Sequence, residues 1–293
     1  MLQLQGSIVA LVTPFYEDGS VNYARLDELV DWHIESGTDG IVALGTTGEA
    51  STMTGEECEK VLRRVVKKAA GRIPVIAGSG SNCTGTMLEK SLRAQGAGAD
   101  GLLIITPYYN KANEEGMYRH FATVADAVKI PCILYNVPGR TGCSISEKVV
   151  KRLFKHENIY AIKEASGNLS YATEIARYLN DDFRMYCGND DIIVPMMALG
   201  SSGAISVFAN IMPEVVHTMV ADCFKGDIKK ARAAQLKYLG VINDLFIEVN
   251  PIPVKAAMNM MGLQAGSLRL PLYEMSDGAK ARLKEALLEA KAL

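Results

Sequence analysis

Eight times in succession a short β-type run is followed by a longer amphipathic stretch, and this alternation constrains the fold more than any other feature of the 293-residue chain. The runs are 7–14, 40–45, 74–79, 101–106, 131–137, 160–165, 184–188 and 203–208. The stretches between them read as helices over 23–36, 55–70, 86–95, 114–128, 146–154, 169–179, 192–199 and 213–224. One order of strand and helix, repeated, means parallel strands joined by crossover helices. An open doubly wound sheet could be built this way, but eight units closing as a (β/α)8 TIM barrel account for the pattern better, and such barrels commonly run to about 250 residues. After Phe224 the rhythm changes. The spacing predicts one long helix over 227–248, a second over 252–261 with Pro251 and Pro253 near its start, and a third over 276–291 opening on the cap-like Ser276-Asp277. The expected organisation is a catalytic barrel over residues 1–224 and a helical appendage over 225–293.

Active sites of such barrels collect at the C-terminal strand ends. The residues at those ends include Gly45-Thr46-Thr47-Gly48-Glu49, Thr106-Pro107-Tyr108-Tyr109-Asn110, Tyr135-Asn136-Val137-Pro138, Lys163-Glu164-Ala165-Ser166-Gly167 and Gly188-Asn189-Asp190. Lys163 stands out because it lies inside an apolar run. Burial disfavours an ammonium, so a lysine there is partly neutral and nucleophilic near pH 7, as Schiff-base formation with a ketone requires. Alternatively, it snorkels to water or pairs with an acid, although Glu164, one residue on, points to the opposite face. Tyr135 falls on the adjacent run, and neighbouring strands lie roughly 4.8 Å apart. A phenol beside an imine-forming amine can shuttle protons, whereas a tyrosine on an apolar strand can equally be core packing. Gly45-Thr-Thr-Gly48 is either a tight turn or a cradle of hydroxyls and N–H groups for a small carboxylate.

Other chemistries find little support. Gly96-Ala-Gly-Ala-Asp-Gly101 fits G-x-G-x-x-G, but it runs from helix to strand, the reverse of the dinucleotide fingerprint. The chain has neither a phosphate-loop signature nor a G-x-S-x-G elbow. Six scattered cysteines and four scattered histidines form no zinc or redox motif, so no metal is expected, and Cys132 reads as a buried small hydrophobe. A net charge of -2 gives no footprint for nucleic acid. The uncharged first sixteen residues lack a basic n-region and are broken by Gln3, Gln5 and Pro14, so neither export nor membrane insertion is expected, and the location expected is cytoplasmic.

Taken together, GTTGE (45–49), PYYN (107–110), YNVPGRTG (135–142), IKEASG (162–167) and NPIPVK (250–255) resemble the 4-hydroxy-tetrahydrodipicolinate synthase family, also called dihydrodipicolinate synthase. The resemblance spans essentially the whole chain. GTTGE-like loops and the lysine are shared with the wider pyruvate-lyase superfamily, whereas YNVPGRTG is more discriminating.

The resemblance implies that Lys163 forms an imine with pyruvate and Tyr135 shuttles protons. Thr46 would link Tyr135 to Tyr109, which comes across a tight dimer interface into the neighbouring site. Thr47 and the main chain of Ile205 would hold pyruvate, and Arg140 would receive the carboxylate of L-aspartate 4-semialdehyde. It further implies a homotetramer built as a dimer of tight dimers and no organic cofactor, the imine being the electron sink. The rival readings are a pyruvate lyase for a sugar-like aldehyde, for which Arg140 would be an odd fixture, and a non-catalytic binding barrel. Lysine-inhibited relatives carry an effector cleft at positions matching Ser51, Asn82 and Tyr108. They have a glutamate where Thr86 stands and histidines where Gly55 and Cys58 stand, so weak or absent inhibition by lysine is expected.

Overall fold

A computed structural model describes residues 2–293. Eight parallel strands, β1 (Gly6–Ala10), β2 (Gly40–Ala43), β3 (Val75–Gly78), β4 (Gly101–Ile105), β5 (Cys132–Asn136), β6 (Ile159–Glu164), β7 (Arg184–Cys187) and β8 (Gly203–Ser206), close in sequence order into a barrel. Around it run α1 (Tyr23–Glu35), α2 (Gly55–Ala69), α3 (Thr84–Gly96), α4 (Glu114–Ala127), α5 (Pro138–Thr141), α6 (Glu147–Leu153), α7 (Leu169–Ala176), α8 (Ile193–Ala198) and α9 (Pro213–Phe224). The tail adds α10 (Ile228–Lys237), α11 (Leu239–Asp244), α12 (Ile252–Met260) and α13 (Asp277–Glu289). Among the described residues no helix is long and apolar enough to cross a membrane.

Local chemistry explains the boundaries. In α2, Thr54 and Glu57 form a reciprocal capping box, with acids in the first turn and Lys67 and Lys68 in the last, matching the helix dipole. Closure depends on a glycine: Gly203 has φ 146°, and a Cβ there would collide with the carbonyl oxygen of Gly6, so β8 can meet β1 only because the side chain is missing. The strands are buried along nearly their whole lengths, since helices cover one side and the packed barrel interior the other. At the bottom, the Tyr186 hydroxyl donates to the Leu4 carbonyl at 2.6 Å, so the N-terminal segment plugs that end and the opposite rim is left for chemistry.

The single helix expected over 227–248 is instead two, meeting at Tyr238, whose φ/ψ of -97°/3° leaves the helical range. Gly240 is a weak helix former, and Tyr238 packs on Phe208 with ring centroids 5.9 Å apart. The chain then leaves helix after Asp244 and crosses the barrel mouth. The Gly96–Gly101 stretch is the helix-to-strand turn that its order implied, with Gly98 at φ 92°.

Candidate active site

Lys163 and Tyr135 are register partners on β6 and β5, and Tyr186 on β7 continues the same row. Paired residues in a sheet share a face, so both side chains enter the barrel interior. Lys163 is only 5% exposed, and its Nζ lies 4.5 Å from the centroid of the Tyr135 ring. A Cβ on Gly188 would lie 2.9 Å from Lys163 Cε, so this glycine leaves room for the lysine stem. Glu164 turns to the other face, where it accepts from Asn136 Nδ2 and Ser166 N, each at 2.7 Å. Lys163 forms no side-chain hydrogen bond to another described residue and lines a cavity.

Electrostatics follows from this burial. Desolvation is the largest influence on Lys163, bringing it down to about 8; the Asp190 carboxylate opposes the shift and Arg140 reinforces it. Burial pushes Tyr135 up to about 12, so its phenol stays protonated and can act as a donor. Asp190 is also raised by burial, and the charge of Lys163 pulls it back. Its Oδ2 accepts from Val207 N at 3.0 Å and Phe208 N at 2.9 Å, which holds the end of β8 beside the site.

A cavity of about 170 Å3 opens on these groups and is lined also by Thr46, Thr47, Arg140, Val207, Phe246 and Asn250. Asn250 organises one wall. Its Nδ2 donates to Thr47 Oγ1 at 3.0 Å, and its carbonyl accepts from Arg140 Nη2 at 3.1 Å. Asn250 Oδ1 is buried without a partner, an acceptor left for something that enters the cavity. A second cavity, about 370 Å3, shares Thr46, Tyr135 and Arg140 and extends to Ser51 and Tyr108. Between α2 and α3 lies a third, about 590 Å3, lined by Gly55, Cys58 and Thr86 together with Glu56, Glu59 and Glu89.

The fold therefore gathers Lys163, Tyr135, Thr46, Thr47 and Arg140 at one cavity. Ile205 is fully buried on β8, two residues before the lining residue Val207. Tyr109 stands apart: it is 92% exposed, with φ 68°, and lines none of these cavities. No hydrogen bond among the described residues joins Thr46 to Tyr135 or to Tyr109. Asn82 uses its carbonyl to accept from Asn110 Nδ2 at 2.9 Å and lines neither neighbouring cavity. Asp190, Phe246 and Asn250 had no assigned role in the sequence. Asp190 follows the glycine at the end of β7 and Asn250 opens NPIPVK, so rim position and motif were the signals for two of them.

Comparison with known proteins identifies the family and the fold. Residues 3–290 match the sequence profile of the dihydrodipicolinate synthetase family. A 4-hydroxy-tetrahydrodipicolinate synthase of Clostridium tetani is 53% identical over 284 residues, covering 97% of this chain and 96% of that protein. The dihydrodipicolinate synthase of Acinetobacter baumannii, solved in complex with pyruvate, superposes with a TM-score of 0.97 at 43% identity, covering 99% of this chain and 100% of that one. A structure described as the first monomeric dihydrodipicolinate synthase variant superposes at 0.96 with 35% identity, covering 99% of this chain and 98% of that one.

Proposed function

Since the chain belongs to the dihydrodipicolinate synthetase family, we propose that Lys163 is the residue that forms an imine with pyruvate. The enzyme is a lyase that condenses pyruvate with L-aspartate 4-semialdehyde to 4-hydroxy-tetrahydrodipicolinate, a step toward diaminopimelate and lysine. The observation that carries the assignment is a buried amine with no hydrogen-bond partner among the described residues, brought down to about 8 and facing a protonated phenol.

In this reading neutral Lys163 Nζ attacks the ketone carbon of pyruvate. Tyr135 gives its proton to the departing hydroxyl, water leaves, and the iminium forms. Loss of a methyl proton yields an enamine whose carbon adds to the aldehyde of the second substrate. The amine of that substrate then attacks the imine carbon, closes the ring and expels Lys163. Thr47 and the Ile205 main chain hold the pyruvate carboxylate end, Arg140 takes the carboxylate of the semialdehyde, and Thr46 relays protons between Tyr135 and a partner subunit's tyrosine equivalent to Tyr109. An aromatic ring as exposed as Tyr109 supports its use between subunits, in a homotetramer whose functional minimum is the tight dimer.

The same reading extends to regulation. Ser51, Asn82 and Tyr108 would form a partial effector cleft, and Thr86 offers no carboxylate to an incoming ammonium. Inhibition by lysine is therefore weak or absent.

Borohydride added with pyruvate tests the central assignment. A reduced pyruvate mass is expected on the peptide carrying Lys163 and is lost in Lys163→Ala; an adduct elsewhere, or none, overturns it.

A further inference from the structure

The chain holds a second buried lysine, and its surroundings are opposite to those of Lys163. Lys255, on α12, is 1% exposed, yet every proton of its ammonium is matched. Nζ donates to Glu49 Oε1 at 2.8 Å, to the Thr13 carbonyl at 3.0 Å and to the Ser267 carbonyl at 2.6 Å. The Phe15 ring covers it, with Nζ 4.4 Å from the centroid. Glu49 is equally enclosed. Its second oxygen accepts from Arg269 N at 3.1 Å, and the Arg269 guanidinium goes on to both oxygens of Glu57 and to the Gly19 and Thr52 carbonyls.

Glu49 is the last residue of the Gly45–Glu49 loop and sits at φ 54°, in the left-handed region. The loop is tightly wound, Gly48 N donating to the Gly45 carbonyl and Glu49 N to the Thr46 carbonyl, each at 3.1 Å. Thr13, whose carbonyl Lys255 holds, uses its own hydroxyl to bind the Gly48 carbonyl at 2.7 Å. Just before α12, Asn250 holds Thr47. One tail segment thus grips the loop at two points two residues apart, by a neutral hydrogen bond at Thr47 and an ion pair at Glu49.

Removing two charges from water offsets most of what their attraction returns, so an apolar pair would serve stability equally well. What an ion pair with three directed hydrogen bonds adds is a single geometry. We propose that Lys255 and Glu49 are positioning residues that fix the Gly45–Glu49 loop from beneath, so that Thr47 meets the pyruvate carboxylate at the right place. This rests on the reading of Thr47 as a pyruvate contact. It assigns Lys255 to ground-state binding and leaves imine chemistry to Lys163.

The test is the double variant Lys255→Met with Glu49→Gln, which removes both charges together and keeps an acceptor for Arg269 N. A loosened carboxylate contact shows as a pyruvate KM raised about tenfold or more with kcat within about threefold, the signature of lost uniform binding. Borohydride trapping on Lys163 still reaches completion at saturating pyruvate. A folded double variant with unchanged pyruvate KM overturns the proposal and leaves the pair as scaffold. If the double variant does not fold, Lys255→Arg is read the same way, because its fork keeps the charge but cannot place one nitrogen at all three oxygens. Failure of the unaltered protein to trap pyruvate on Lys163 would instead defeat the functional reading, whatever the KM of the variants.

Discussion

Lys163 and Tyr135 face one another across the β5–β6 ladder, the amine 4.5 Å from the centre of the phenol ring, and burial shifts both toward their neutral forms. An amine that loses its proton easily beside a phenol that keeps its own is the pairing that dehydration of a carbinolamine needs. The same burial makes the site a liability for the fold.

That liability is measurable. Unfolded Lys163 holds its proton up to its ordinary 10.5, whereas the folded residue releases it at about 8. Between those values the unfolded state binds more protons, so the residue's contribution to stability rises with pH through that window, and below it the full penalty applies. Lys163→Met should therefore be more stable at pH 7 by roughly 3 kcal/mol, seen as a rise of several degrees in Tm. The gain should shrink toward pH 10. Thermal melts of both proteins at the two pH values decide it, and a gain that ignores pH would refute the burial argument.

Activity should follow the same titration and in the same direction, since the neutral amine is also the nucleophile. Below about 8 the neutral amine is the minor form, so kcat/KM for pyruvate should fall about tenfold per pH unit and level off above that value. A flat profile between pH 6 and 8 would mean that imine formation does not draw on the free amine of Lys163.

Arg140 is anchored at one nitrogen by the Asn250 carbonyl and lines the cavity beside Tyr135. Arg140→Ala should lower kcat/KM for the semialdehyde about 10- to 100-fold, the range of one charge-assisted hydrogen bond. Pyruvate trapping should hardly change, although Lys163 should titrate higher once a neighbouring positive charge is gone. Equal losses in both assays would make Arg140 a structural residue.

If Tyr109 serves the neighbouring site, two inactive proteins should rescue one another. Mixing Tyr109→Phe with Lys163→Ala chains should restore part of the activity, since each hybrid dimer holds one site with both intact groups. A fully active monomer would contradict the scheme.

Titration with L-lysine at steady state should show little inhibition. The cavity between α2 and α3 does contain Glu56, Glu59 and Glu89, however, and sub-millimolar inhibition would mean that these acids replace the carboxylate missing at Thr86.

Alternation of β-type and amphipathic runs was enough to read the barrel, because each strand and helix is specified by residues one to four positions apart and a parallel order leaves few ways to close. All eight strands lie within a few residues of their expected places, and Lys163 was visible as a charge in an apolar run. The break at Tyr238 was not anticipated, since it depends on packing against Phe208, thirty residues earlier. Nor could spacing reveal that Asp190 holds the end of β8, that Asn250 reaches Thr47, or that Lys255 pairs with Glu49 across 206 residues. A polar side chain in a local pattern declares only that it needs a partner; which one it meets is decided when the barrel closes and the tail folds over its mouth, because burial then removes water as the alternative. Tertiary structure alone therefore separated the two buried lysines, leaving one amine without a protein partner and surrounding the other with three oxygens.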